Sequence, residues 1–198
     1  LIGSFLNVVI FRLPQMMDEA WAIEAESYRQ KDNPDWLPPA PQMSLSRPAS
    51  RCGHCGHAIA WYENIPVLSW LLLRAKCSAC KTPISWRYPL IELLTGALFA
   101  YSAWRFGLSW PMLAWCVFSA LVVALFWIDW DTTFLPDSLT QPLLWLGLML
   151  AMLSLNPLIE RFSDAFWGVV IGYCLFIPLA WIVGKIKGQQ AMGNGDYK

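Results

Sequence analysis

Two stretches place carboxylates where their surroundings are least hospitable to charge. "WIDWDTTFLPD" carries Asp129, Asp131 and Asp137 directly after an uncharged run, and "MGNGD" carries Asp196 on a backbone loosened by Gly193 and Gly195. A carboxylate at the edge of an apolar segment is costly unless it has a partner or a task. Asp129 and Asp196 sit at matching depths after two such segments, and the glycines remove bulk so that another backbone can approach Asp196. Two carboxylates brought close together cannot both ionise easily. One then keeps its proton and polarises a carbonyl while the other takes a proton from water, which is acid–base hydrolysis of an amide. Blander readings stand beside this one. Asp137, after Pro136, is expected to cap a helix starting at Ser138. Asp131 is either a solvated loop residue or a partner for a cationic group, and 193–196 alone also reads as a turn between helices.

The second constellation is sulfur. "RCGHCGH" supplies Cys52 and Cys55, and "KCSAC" supplies Cys77 and Cys80, with 21 residues between the two CxxC pairs. This resembles the four-thiolate zinc pattern, one residue beyond its usual spacing. Gly53 and Gly56 ease the first turn, and Arg51, Lys76 and Lys81 are placed to offset thiolate charge. The alternative is two disulfides or free thiols, which a cytoplasmic location disfavours. A closed four-thiolate site is structural, because catalysis needs an open coordination position. His54 and His57 are expected to be solvated or to lie outside the ligand set, and Cys116 and Cys174 to be small packing residues.

The elements that position these groups are mostly apolar. Of 198 residues, 57% are hydrophobic and 14% charged, against roughly a quarter charged in soluble domains. Thirteen tryptophans suit the headgroup layer of a bilayer, and a net charge of zero gives no case for nucleic acid. Residues 106–128, 138–159 and 165–184 are uncharged and approach or exceed the roughly 20 residues a helix needs to cross the hydrocarbon. Residues 88–104 make a weaker span interrupted by Glu92, which must lie near the interface or face the bundle interior. Residues 1–11 read as the last turns of a truncated first helix, and the chain as a fragment cut at both ends. Residues 12–87 hold both histidines and nine of the fourteen basic residues, and read as an insert on the cytoplasmic side. Arg105 and Arg161 would then face out, and Lys185 and Lys187 in. The expected fold is an all-α polytopic membrane protein: a transmembrane helix bundle over 88–198 with a small cytoplasmic zinc-knuckle insert. No internal repeat is apparent.

"GSFLNVVIFRLP", the CxxC pair, "ENIPVLSWL", "RYPLIE", "IDWDTTFLPDSLTQPLLWLGL" and "MGNGD" together resemble the type IV prepilin peptidases, bifunctional leader peptidase/N-methyltransferases of the GxGD aspartic type. The resemblance runs from about residue 3 to 196. It implies a multi-pass bacterial inner-membrane enzyme of pilus and type II secretion systems. Such an enzyme cuts the leader from prepilins or pseudopilins at the cytoplasmic face, then methylates the new N-terminus with S-adenosylmethionine. Carried onto this chain, the peptidase pair is Asp129 and Asp196, and further helices are expected after GxGD. Asp18, Glu19, Glu24 and Glu26 either attract the basic leader or form a solvated helix face. No Rossmann-type glycine fingerprint is present. Glu63, Asn64, Arg87 and Glu92 are therefore the candidates for holding the methyl donor and the cleaved amine, although Arg87 and Glu92 could simply pair. The rival readings are a peptidase without methyl transfer and a non-enzymatic membrane adaptor.

Overall fold

The computed structural model describes residues 1–33, 35–155 and 161–187, and the regular structure among them is helical apart from two isolated β-bridges. Asp196, the rest of 193–196 and the corner at 156–160 lie outside the described residues. The chain divides into two compact units, Leu1–Gly96 and Ala97–Lys198, with the boundary inside one helix.

In the first unit, α1 spans Ile2–Arg29, so the helix placed at 1–11 continues well past Phe11. The change at Arg12 is one of polarity, not of backbone: the stretch after it is rich in Ala, Met, Glu and Gln, all strong helix formers, and Pro14 is accommodated within the helix. The first turns bury Gly3, Ser4, Leu6, Asn7, Val9 and Ile10. Farther along, the Arg12 guanidinium donates to the carbonyls of Ser44 (3.0 Å) and Leu45 (3.4 Å). The Glu19 carboxylate accepts from the N–H groups of Gln42 (2.7 Å) and Met43 (3.3 Å). These bonds lay residues 42–45 along α1 as a strap. Glu19 is thereby committed to the insert's own backbone, and Glu26 accepts from Gln30 at 3.1 Å. A 3₁₀ turn (Trp61–Asn64) and the short α2 (Leu68–Leu72) follow the first cysteine pair. Helix α3 (Arg87–Phe106) follows the second.

Helices α1 and α3 meet at Gly3. A Cβ on Gly3 would lie 2.8 Å from Glu92 Cα, so only glycine lets the two backbones approach this closely. One turn on, Asn7 Nδ2 donates to the Tyr88 carbonyl at 3.2 Å. Small residues serve the same purpose between membrane helices generally.

In the second unit, Gly107 (φ 62) ends α3 by donating its N–H to Ala103 O at 2.9 Å. Ser109 then caps α4, accepting from Met112 N–H at 3.5 Å. Helix α4 is Trp110–Thr132; the expected span 106–128 thus shifts toward its C-terminal end, because the glycine and serine between α3 and α4 form a true corner. Among the described residues α4 is the helix long and apolar enough to cross a membrane, with a mean hydropathy of 2.2. Leu113, Val117, Phe126 and Trp130 on it are exposed while Val123, Ala124 and Ile128 are buried. A helix that is apolar on both its covered and uncovered faces suits a lipid environment.

Helix α5 spans Asp137–Met152, shorter than the expected 138–159. Leu153 closes it with 3.0 Å to Met149 O, and Ser154 turns away at φ 54. Helix α6 is Phe162–Lys187, with an apolar described stretch over Phe162–Leu175. Pro142 and Pro178 lie inside α5 and α6, as membrane helices tolerate.

Gly3→Ala should force α1 and α3 apart. The expected cost is that of an overpacked contact, about 1–3 kcal/mol, read as a lower midpoint of thermal unfolding in detergent micelles.

Candidate functional site

The two cysteine pairs fold as copies of one motif. In each, the first cysteine's N–H donates to the carbonyl five residues on: Cys52 to His57 (2.8 Å) and Cys77 to Thr82 (2.9 Å). The residue after the second cysteine donates back: Gly56 to Cys52 O (2.9 Å) and Lys81 to Cys77 O (3.1 Å). Both of those residues are left-handed, Gly56 at φ 70 and Lys81 at φ 60. A further bond closes each base, Ile59 N–H to Ser50 O and Ile84 N–H to Ala75 O. This is an internal repeat that residue identity shows only thinly: beyond the cysteines the copies share Ile59 with Ile84, Trp61 with Trp86, and a basic residue at Arg51 and Lys76. The left-handed position belongs to Gly56, and Gly53 is not called on for it.

The repeat brings the four sulfurs within 4.8 Å of one another, with Cys52 Sγ 3.8 Å from Cys80 Sγ. A tetrahedron of thiolates about 2.3 Å from a central ion has edges of about 3.8 Å. A disulfide would need about 2.05 Å, and all four cysteines are free thiols. The cluster is able to hold a metal ion.

Its electrostatics prepare it for one. Backbone N–H groups of Cys55 and His54 lower the Cys52 pKa. The Thr82 hydroxyl, 3.1 Å from Cys80 Sγ, and then the Thr82 backbone bring Cys80 down to about 5. At Cys55 the His57 backbone also lowers the pKa, but desolvation and the three neighbouring sulfurs outweigh it and push the thiol up to about 11. Anion stabilisation therefore comes from oriented N–H and O–H groups. Lys81, expected to serve this purpose, instead donates its Nζ to the Ser78 carbonyl at 2.8 Å.

Glu63 is tied to the same cluster. Its carboxylate accepts from Ala60 N–H at 2.9 Å and lies 3.6 Å from His57 Nε2. The Ser78 side chain, then Ala60, hold its pKa down, with His57 adding a smaller pull. Glu63 thus lies against the first knuckle at His57. Asn64 follows with an exposed side chain, and its carbonyl lies 3.5 Å from Ser4 Oγ. Glu92, on α3, accepts from the Ser4 hydroxyl and from Val67 N–H, the latter at 2.7 Å. Arg87 opens α3 and is half-buried. Sequence reasoning missed Gly3, Ser4, Asn7 and Val67; the signal was the helical spacing of the first three, which puts them on one face of α1.

Asp129 and Asp131 lie in the last turn of α4, both exposed, so Asp131 is helical and not a loop residue. Thr133, left-handed at φ 52, donates its N–H to the Asp129 carbonyl at 2.7 Å and ends the helix. Carboxylates at a helix C-terminus oppose the macrodipole, whereas one in a first turn is favoured. Asp137 is in that favoured place, the first turn of α5, with Pro136 in the capping position that had been assigned to the aspartate. Helix stability accounts for Asp137 and not for Asp129 or Asp131.

A helical chain with a four-cysteine knuckle and misplaced carboxylates after its most apolar helix is the class that comparison with known proteins resolves. Residues 1–106 match the bacterial peptidase A24 N-terminal domain, and residues 116–198 match the type IV leader peptidase family. The whole chain is 46% identical to a prepilin leader peptidase/N-methyltransferase of Stutzerimonas stutzeri, of which it covers 66%. It is 43% identical to the protein of that name in Neisseria gonorrhoeae, covering 68% of it, and 42% identical to that of Pseudomonas aeruginosa, covering 66%. The chain spans about two thirds of the length of these relatives. No solved structure matches it. The chain belongs to the type IV leader peptidase family.

Metal retention should depend on pH with a definite sign. Cys55, with a metal-free pKa of about 11, is protonated at neutrality, so metal entry releases its proton and affinity falls as pH falls. Below about 5, Cys80 is protonated too and the dependence steepens. Chelator competition at pH 8, 6.5 and 5 should show metal lost at progressively lower chelator concentration. Cys52→Ser combined with Cys77→Ser should abolish binding, measured by elemental analysis, and lower the unfolding midpoint.

Proposed function

We propose that this chain forms most of an inner-membrane aspartic endopeptidase that removes the leader from type IV prepilins or type II secretion pseudopilins, and then N-methylates the exposed residue. The observation that carries the reading is identity of 42–46% along the entire chain to proteins named for both activities. Both halves also match family models. The helices after Gly96 are read as a multi-pass bundle, with 12–87 and the catalytic carboxylates on the cytoplasmic side, because the basic residues gather there.

Asp129 and Asp196 are the proposed pair. Asp129 gains nothing for α4 by its position, which supports a chemical role. With one proton shared between them, the protonated carboxyl hydrogen-bonds the scissile carbonyl and the ionised one draws a proton from water, which attacks the carbonyl carbon. The protonated carboxyl then supplies the leaving amine. No covalent intermediate forms. The prepilin's apolar segment lies among the spans, which brings its basic leader to the cytoplasmic interface.

The ion in the four-cysteine site is read as structural zinc, since four thiolates leave no open position. S-adenosylmethionine supplies an electrophilic methyl group when bound. On this chain Glu63, Asn64, Arg87 and Glu92 are the candidates to hold it near the cleaved amine, and of these Asn64 is exposed while Glu63 and Glu92 already accept backbone N–H groups.

The test uses the full-length protein with a prepilin substrate, scoring leader removal and N-methylation separately. Asp129→Ala and Asp196→Ala should each reduce cleavage by about 10²–10⁴-fold or more, while Asp131→Ala and Asp137→Ala keep measurable cleavage. Intact cleavage in both of the first pair would remove the dyad assignment. A wild type that cuts without methylating would leave a peptidase alone.

A further inference from the structure

Val67 occupies a strained backbone position in the insert. At φ 58 and ψ −46 it is the centre of a γ-turn closed by Leu68 N–H to the Pro66 carbonyl. Turns of this hand are rare and strained for any L residue, and a β-branched side chain makes them rarer. Strain of this kind persists only where the surroundings over-determine it.

Here the surroundings are Glu92. One carboxylate oxygen accepts the Val67 N–H at 2.7 Å, and the other accepts the Ser4 hydroxyl of α1. Gly3 brings the α1 backbone against Glu92 Cα, so the carboxylate has little freedom to swing away. The other end of the same segment is fixed by Glu63 on Ala60 and His57. Residues 60–68 are therefore held at two points, by their own Glu63 against His57 of the first knuckle and by Glu92 of α3 at Val67. Asn64, between them, presents an exposed side chain.

We propose that Glu92 is a positioning residue for methyl transfer: it holds the Val67 turn in its strained form, and so fixes how Asn64 is presented, without itself touching the methyl donor. The inference deepens the methyltransferase reading above and rests on it for the activity arm of its test. The holding of the turn is read independently.

The experiment uses full-length protein in detergent and three variants. Glu92→Ala leaves the turn unsupported; about a tenfold or greater rise in KM for S-adenosylmethionine is expected, with a smaller change in kcat. Amide hydrogen exchange at Val67 and Leu68 should accelerate. Glu92→Gln should keep most function, because its amide can accept from Val67 and donate to Ser4. The decisive variant adds Val67→Gly to Glu92→Ala. Glycine takes positive φ without support, so KM should return most of the way to wild type. A carboxylate that contacts the donor or the amine predicts the opposite: Glu92→Gln as damaging as Glu92→Ala, and no rescue by Val67→Gly. Either result overturns the proposal. If the wild type does not methylate, the functional reading fails, and the exchange measurement decides the rest. Unchanged exchange at Val67 in Glu92→Ala would show that the carboxylate does not hold the turn.

Discussion

Four sulfurs converging on one point hold the first unit's insert together. Among the described residues between Arg12 and Arg87, Cys77 is the buried apolar side chain, and the rest of the core belongs to the helices. A segment with so little to exclude from water cannot offset its conformational entropy by burial. Cross-linking through an ion held by the four sulfurs would do that work. Left as anions the thiolates would repel, and left as thiols they would attract only weakly, so the geometry makes sense around a cation. From the cluster, fixed points run outward: Glu63 meets the first knuckle at His57, residues 60–68 follow, and Glu92 ties that segment to α1 and α3. Stability made at the sulfurs thus becomes position at α1 and α3.

Carboxylates divide by whether their surroundings welcome them. Glu19, Glu63 and Glu92 each accept backbone N–H groups and serve as structural acceptors. Asp137 sits where a helix N-terminus favours it. Asp129 and Asp131 lie instead in the last turn of α4, where the helix dipole does not favour a carboxylate.

Much of this was legible beforehand, and the failures have physical causes. The cysteine spacing announced a shared site because metal geometry is local and needs few residues. Apolar runs located α4 and α6, since hydropathy is a sum over many side chains. Helix ends were less readable. The α3–α4 corner depends on Gly107 and Ser109, and the end of α5 on a single left-handed serine. Residue 12 looked like the end of a helix because polarity changes there, but helicity follows propensity, which does not. Pairings across long separations, such as Ser4 with Glu92, leave no trace in a single sequence. The bonds that Glu63 and Glu92 make to Ala60 and Val67 were likewise not readable from their motifs. The repeat of the two knuckles escaped notice because few residues beyond the cysteines carry it, Ile59 with Ile84 and Trp61 with Trp86, while its hydrogen bonds match throughout.

That repeat is not symmetrical in one respect. Where the first copy has Gly56 in the left-handed region, the second has Lys81 at φ 60, a conformation that costs an L residue about 1–2 kcal/mol. An ion held by all four sulfurs would clamp both copies alike. Without one, the strain at Lys81 would favour opening the second copy over the first, so the two hairpins, alike in their bonds, are unequal in how firmly they hold without a ligand.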